Sequence, residues 1–225
     1  MNVLFIGNSH VYMHFMPRML MALVKTADRG DTLVAEQCTG ESVSLEWHWY
    51  NRATQDMLAS KRWDYVVLQD RAGGPLEAGE SFERHARLLD QEIKRQGART
   101  VFYMTWALRR QPETQANLTE AYRQIADKLG AKLAPVGLVW EKVRKKKPDI
   151  DLFHEDGRHA NSTGAYLTAC VFFSVLLGAS PEGLPGKLHI NGKNRVDLDK
   201  GRALFLQRIA HSTVAGTGHA VRSTK

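Results

Sequence analysis

Cysteine is scarce in this chain: Cys38 and Cys170 are the two thiols in 225 residues. Two thiols in apolar company do not build a disulfide framework, so both are expected to be buried and free, as suits a reducing compartment. Long apolar runs are lacking too. The longest, Ala165 to Leu177, carries Thr168 and Ser174 and is too short to span a bilayer. No leader-type segment separates Met1 from the first apolar stretch, so a cytoplasmic location is expected. There are no internal repeats and no second-domain boundary. That leaves one domain over 1–213 and a short polar tail over 214–225.

What the chain does have is positive charge, +7 with a pI near 9.5. Its placement decides what that charge means. The densest cluster is Lys142-Val143-Arg144-Lys145-Lys146-Lys147, just before Pro148. Cations at a helix C-terminus offset the macrodipole and sit in solvent. No aromatic residues interleave with them, so no nucleic-acid partner is expected.

Hydrophobic residues make up 43% of the chain, enough to fill one sizeable core. Stretches that read as strands occur at Val3–Ile6, Asp31–Cys38, Trp63–Gln69, Arg99–Thr105 and Lys132–Val136. Between them lie stretches with helical spacing, at about 15–27, 80–96, 113–129 and 138–147, and two more follow at about 162–177 and 198–213. Strand and helix in alternation predict a three-layer α/β/α sandwich around a parallel sheet of about five strands, flavodoxin-like in shape. Residues 186–197 read as an extended excursion with turns. The aromatic stretch Leu45 to Asn51 either covers the sheet or lines an approach to a site.

Two motifs carry chemistry. Gly7-Asn8-Ser9-His10 leaves the first strand directly, and a serine on such a turn exposes its hydroxyl at the strand's carboxyl end. Asp156-Gly157-Arg158-His159 lies in a loop just ahead of a helix. An aspartate three residues before a histidine can accept from Nδ1, which leaves Nε2 free as a base. Gly157 suits a turn with unusual backbone angles. Asn161 or Ser162 is placed to cap the helix that follows. Thr39-Gly40-Glu41 follows the second strand, so the Gly40 N–H is a candidate donor to an anion on the same edge.

Together these motifs resemble the SGNH (GDSL-like) hydrolases, over Met1 to about Pro181. Gly7-Asn8-Ser9-His10 matches that family's first block, with Asn8 where aspartate is frequent. Asp156-x-x-His159 matches its last block. The resemblance implies ester hydrolysis, with Ser9 as nucleophile, His159 as base and Asp156 behind it. It also implies an oxyanion hole from the Ser9 and Gly40 N–H groups, and a small-molecule ester as substrate. Neither metal nor cofactor is implied. The family's third block, Gly-x-Asn-Asp, is missing after Leu68. Gln69 is the nearest carboxamide, which makes its NH2 the candidate third donor.

Two other readings stay open at this stage. One is a metal-dependent hydrolase built from His154, Asp156 and His159. The other is a non-catalytic anion-binding domain that uses the Gly7–His10 turn. His10 competes with His159 for the base. Asn8 is a candidate tie for the nucleophile turn, and Arg158 a candidate contact for an acidic substrate. His14, His48 and His85 read as surface or packing residues.

Overall fold

The computed structural model describes residues 1–27 and 29–218. Its elements run β1 (Asn2–Gly7), α1 (Ser9–Tyr12), α2 (Met16–Thr26), β2 (Val34–Thr39), α3 (Leu45–Tyr50), α4 (Arg52–Ala59) and β3 (Tyr65–Leu68). There follow α5 (Gly74–Glu77), α6 (Gly79–Arg95), β4 (Arg99–Tyr103), α7 (Gln115–Leu129), β5 (Lys132–Ala134) and α8 (Val136–Lys146). Last come α9 (Ser162–Leu177), β6 (Lys187–Ile190), β7 (Lys193–Asp197) and α10 (Lys200–Gly216).

Five parallel strands form the central sheet in the order β2-β1-β3-β4-β5. Successive side chains of a strand point to opposite faces. Val3 and Phe5 therefore enter one apolar cluster and Leu4 and Ile6 the other; Tyr65 and Val67 part from Val66 and Leu68 in the same way. Helices α2, α8, α9 and α10 cover the first face, and α3, α4, α6 and α7 the second. Burial on both faces explains why β1 and β3 read as unbroken apolar runs, whereas β2, at the sheet edge, is half-buried or exposed along its length. Between Gly164 and Leu176, α9 is buried all round, as its composition predicts. In this strand order the connections reverse direction between β1 and β3. The carboxyl ends of those two strands border the crevice where open α/β sheets bind ligands.

Several boundaries differ from the sequence expectation. The excursion at 186–197 is an antiparallel hairpin, turned by Asn191 and Gly192 with φ of 55° and 73°. Paired positive φ at Asn-Gly is the type I′ hairpin signature. The last helix runs on to Gly216, with Val214 only 1% exposed, so the polar stretch does not begin at 214. Residues 219–225 of the expected tail lie outside the described residues. The fifth strand stops at Ala134 because Pro135, which lacks a donor, opens α8. The basic cluster ends α8, as expected. Cys170 is buried and free, and its burial pushes the thiol up to about 12. Cys38 is free but only half-buried. Among the described residues no helix is long and apolar enough to cross a membrane.

Candidate active site

Ser9 opens α1 directly beyond the end of β1, with Asn8 as the N-cap. The Asn8 Oδ1 accepts from the His10 N–H at 3.2 Å, and its Nδ2 donates to the Val43 carbonyl at 2.9 Å. Asn8 thus ties the Gly7–His10 turn to the loop after β2, the structural task its position suggested. The turn is fastened on its other side by Gln69. The Asn8 N–H donates to Gln69 Oε1 at 2.8 Å. A Cβ at Gly7 would collide with that oxygen, so glycine is required there for room and not for its φ.

Asp156 and His159 sit in a closed loop between β5–α8 and α9. Phe153 pairs with Ala160, and the His154 N–H donates to the His159 carbonyl at 2.8 Å. Gly157 makes the bend possible with φ of 65°. Asp156 Oδ1 accepts the Arg158 and His159 N–H groups, both at 2.9 Å. Its Oδ2 is then left for the imidazole, at 2.6 Å from His159 Nδ1. Since a carboxylate only accepts, Nδ1 carries the proton and Nε2 presents a lone pair. That Nε2 lies 2.8 Å from Ser9 Oγ. The loop is anchored by Asn161, whose Oδ1 caps α9 through the Gly164 N–H at 2.9 Å.

An aromatic ladder supports the loop from below. The Trp106 Nε1–H donates to the Arg158 carbonyl at 2.9 Å, and its ring stacks on Trp140 at 3.8 Å. Trp140 meets Phe153 edge-on at 5.1 Å. On its other side Trp106 packs against His10, with ring centroids 4.9 Å apart. A larger cavity of about 630 Å³ lies behind Trp106, between α8 and residues 150–153, and contains neither Ser9 nor His159.

Electrostatics separate the two histidines at the turn. Burial, reinforced by the nearby His159 and Arg158 charges, pushes His10 down to about 3. Its Nδ1 faces Asn8 Oδ1 at 3.2 Å and it makes no hydrogen bond to Ser9. Of the two histidines, it is His159 whose ring nitrogen meets the Ser9 hydroxyl. For Asp156, burial alone would raise the carboxyl. The His159 side chain, the two backbone N–H donors and the imidazole charge outweigh it, and hold the group well below the usual carboxylate range.

Two of the expected oxyanion donors are committed elsewhere. The Gly40 N–H donates to the Gly7 carbonyl at 3.2 Å, extending the β1–β2 ladder by one bond. Gln69 is fully buried, and its Nε2 donates to the Asp70 carbonyl, away from Ser9. The carboxamide cannot be turned round, because the Asn8 N–H needs an acceptor at Oε1. The Ser9 N–H, in the first turn of α1, keeps its availability. Around Ser9 opens a cavity of about 290 Å³, walled by Asn8, His10 and His159, with Ser42, Arg71, Ala72 and Arg158 at its rim. Ser42 holds a left-handed backbone, φ 53°, which a non-glycine residue adopts at some energetic cost.

Sequence reasoning missed His48. It is wholly buried, donates from Nε2 to the Gly7 carbonyl at 2.9 Å, and takes the Thr54 hydroxyl on Nδ1 at 2.9 Å. It therefore steadies Gly7, two residues before Ser9. The helix α3 that carries it covers the sheet with Leu45 and His48, while Trp47 and Tyr50 stay exposed and the Trp47 ring borders Gly40. No motif marks His48, because its partner is a backbone carbonyl 41 residues away.

No protein-family model and no curated protein matches the chain. Among solved structures it is similar to a protein described as a candidate SGNH hydrolase from Slackia heliotrinireducens, with 28% identity and a TM-score of 0.65, over 77% of this chain and 97% of that one. It is also similar to the acetyl xylan esterase AlAXEase, at 17% identity and a TM-score of 0.62, over 75% and 96% of the two chains. A variant of Axe2, an acetyl xylan esterase from Geobacillus stearothermophilus, gives 13% and 0.64, over 79% and 94%. Sheet order, helical layers and these likenesses together identify the fold as that of the SGNH hydrolases.

Proposed function

We propose that this chain is a serine hydrolase of carboxylic esters. One observation carries the reading: Ser9 Oγ, His159 and Asp156 form a single line of hydrogen bonds at 2.8 and 2.6 Å, at the rim of a cavity beyond the sheet's carboxyl edge. In this reading Ser9 Oγ attacks the ester carbonyl as its proton passes to His159 Nε2, and Asp156 stabilises the imidazolium. The Ser9 N–H supports the tetrahedral oxyanion. Collapse expels the alcohol, which takes the proton from His159 and leaves an acyl-serine. Water, giving its proton to the same Nε2, then releases the acid. The 290 Å³ cavity suits a short acyl group, acetyl esters on carbohydrates included. A metal centre at His154, Asp156 and His159 is the weaker reading, since both His159 nitrogens are already engaged by Asp156 and Ser9.

Turnover of p-nitrophenyl acetate, butyrate and octanoate tests the proposal, with the acetate expected to be the best of the three. A fluorophosphonate probe followed by peptide mapping should label Ser9. A folded protein that turns over none of the esters and takes no label at Ser9 sinks the reading.

A further inference from the structure

The cavity around Ser9 is unbalanced in charge. Two arginines, Arg71 and Arg158, are among its lining residues, and among the described residues no aspartate or glutamate lines it. Arg71 is partly offset, because it bonds Glu77 at 2.5 Å. The exposed Arg158 guanidinium makes no ion pair among the described residues; its backbone N–H and carbonyl alone are used, by Asp156 and Trp106. Asp156, two residues before Arg158, is turned toward His159, and His154 Nδ1 stands 3.6 Å from the same carboxylate oxygen. His10 adds no opposing charge and no positive one, since burial keeps it neutral. An arginine held at both its backbone N–H and carbonyl beside Ser9, with its guanidinium donors unpaired among the described residues, is suited to receive a carboxylate or a phosphate.

On the hydrolase reading above, we propose that the natural substrate is an ester carrying a carboxylate or phosphate a few bonds from the scissile carbonyl, bound by Arg158 with help from Arg71. Carboxylate and phosphate offer the same acceptor oxygens to a guanidinium. The ester bond supplies the reaction, and the anion supplies orientation and discrimination. A neutral ester loses that contact while the chemistry at Ser9 is untouched. The arginines have one rival task, which is to stabilise the oxyanion of any ester; that task would make no distinction between neutral and anionic substrates.

The experiment compares matched esters on the full chain and on Arg158→Gln and Arg158→Lys. On the alcohol side, 4-acetoxybenzoate and 4-acetoxyphenyl phosphate are set against methyl 4-acetoxybenzoate. On the acyl side, 4-nitrophenyl hydrogen succinate is set against 4-nitrophenyl methyl succinate. The readout is the anionic-to-neutral ratio of kcat/KM, taken relative to the same ratio in the variant, so that intrinsic ester reactivity cancels. Arg158→Gln should lower that ratio about tenfold on at least one side, mainly through KM, with lysine keeping part of it. Raising salt from about 0.01 to about 1 M should shrink the preference in the parent. Equal losses for neutral and anionic esters assign the arginine to the oxyanion and overturn the proposal, as does a ratio that moves less than about twofold. If no ester is turned over and Ser9 takes no fluorophosphonate, the hydrolase reading falls by itself. The anion site is then read by calorimetric titration of Ser9→Ala protein with succinate and with inorganic phosphate. Saturable binding weakened about tenfold by Arg158→Gln supports the site, and no binding of either anion overturns it.

Discussion

The Gln69 side-chain carbonyl accepts the Asn8 N–H at 2.8 Å, joining the end of β3 to the residue before the nucleophile. Its NH2 is spent on the Asp70 carbonyl, so the carboxamide bridges two strand ends inside the core. Gln69→Ala should therefore act first on stability, by about 2 to 4 kcal/mol, as expected for a buried side chain whose loss leaves a donor and an acceptor unpaired. In whatever protein remains folded, kcat should fall by less than about tenfold, since no oxyanion donor has been removed. Gln69→Glu should be the less stable of the two, because it sets a buried carboxylate against a carbonyl. Melting temperature and kcat measured on the same sample decide it. A kcat loss of about 10²- to 10³-fold with an unchanged melting temperature would return Gln69 to the oxyanion hole.

Ser9→Ala should abolish almost all ester turnover, on the order of 10⁴- to 10⁶-fold in kcat, and leave the fold intact. His159→Ala should match it. His10→Ala should behave differently. It removes a ring packed on Trp106 and should cost stability, with a far smaller kcat loss in the folded fraction. Should His10→Ala prove the more damaging to kcat, the base has been misassigned.

Asp156→Asn keeps an oxygen for the Arg158 and His159 N–H groups, so the loop should survive. The new NH2 would face His159 Nδ1 and force it to accept, which moves the ring proton to Nε2 and removes the base. A kcat loss of about 10²- to 10⁴-fold with a near-normal circular dichroism spectrum is expected. A loss under tenfold would show that orientation by Asp156 is unimportant.

Two buried groups near the nucleophile strand should give pH effects of opposite sign. Burial holds His48 down to about 4, against the hydrogen bond it donates to Gly7. Between about pH 6.5 and 4 the unfolded chain binds a proton there that the folded one refuses. The stability tied to neutral His48 is thus present above about 6.5 and lost as pH falls toward 4, about 3 kcal/mol in all. The stability gap between the parent and His48→Gln should narrow over that window. A gap that is flat in pH would refute this.

Asp70 behaves conversely, because burial raises its carboxyl to about 6 against the Arg71 and Leu45 N–H donors. The folded protein keeps a proton that the unfolded chain has released, so its contribution is full below about pH 4 and lost as pH rises through 6. Asp70→Asn should therefore gain on the parent by up to about 3 kcal/mol between pH 4 and 7. Denaturant titrations of both proteins at the two pH values measure the difference.

The layered α/β fold is legible in the order of residues, because both faces of each inner strand are buried and such strands must be written in apolar letters. Val3 to Ile6 and Tyr65 to Leu68 carry that pattern whatever else the chain does. The same order determined where Ser9, Asp156 and His159 stand in the chain. Asp156 and His159 lie three residues apart, so a tight loop brings them into reach of each other. Ser9 is 150 residues from His159, and only the parallel sheet sets its Oγ 2.8 Å from Nε2. The tasks of Gly40, Gln69 and His48 were decided by tertiary structure alone. A hydrogen-bonding group is assigned by the nearest unmet partner, and those partners are the Gly7 carbonyl, the Asn8 N–H and the Asp70 carbonyl. Every residue carries a backbone carbonyl and every residue but proline an N–H, so these partners leave no mark in the order of the letters.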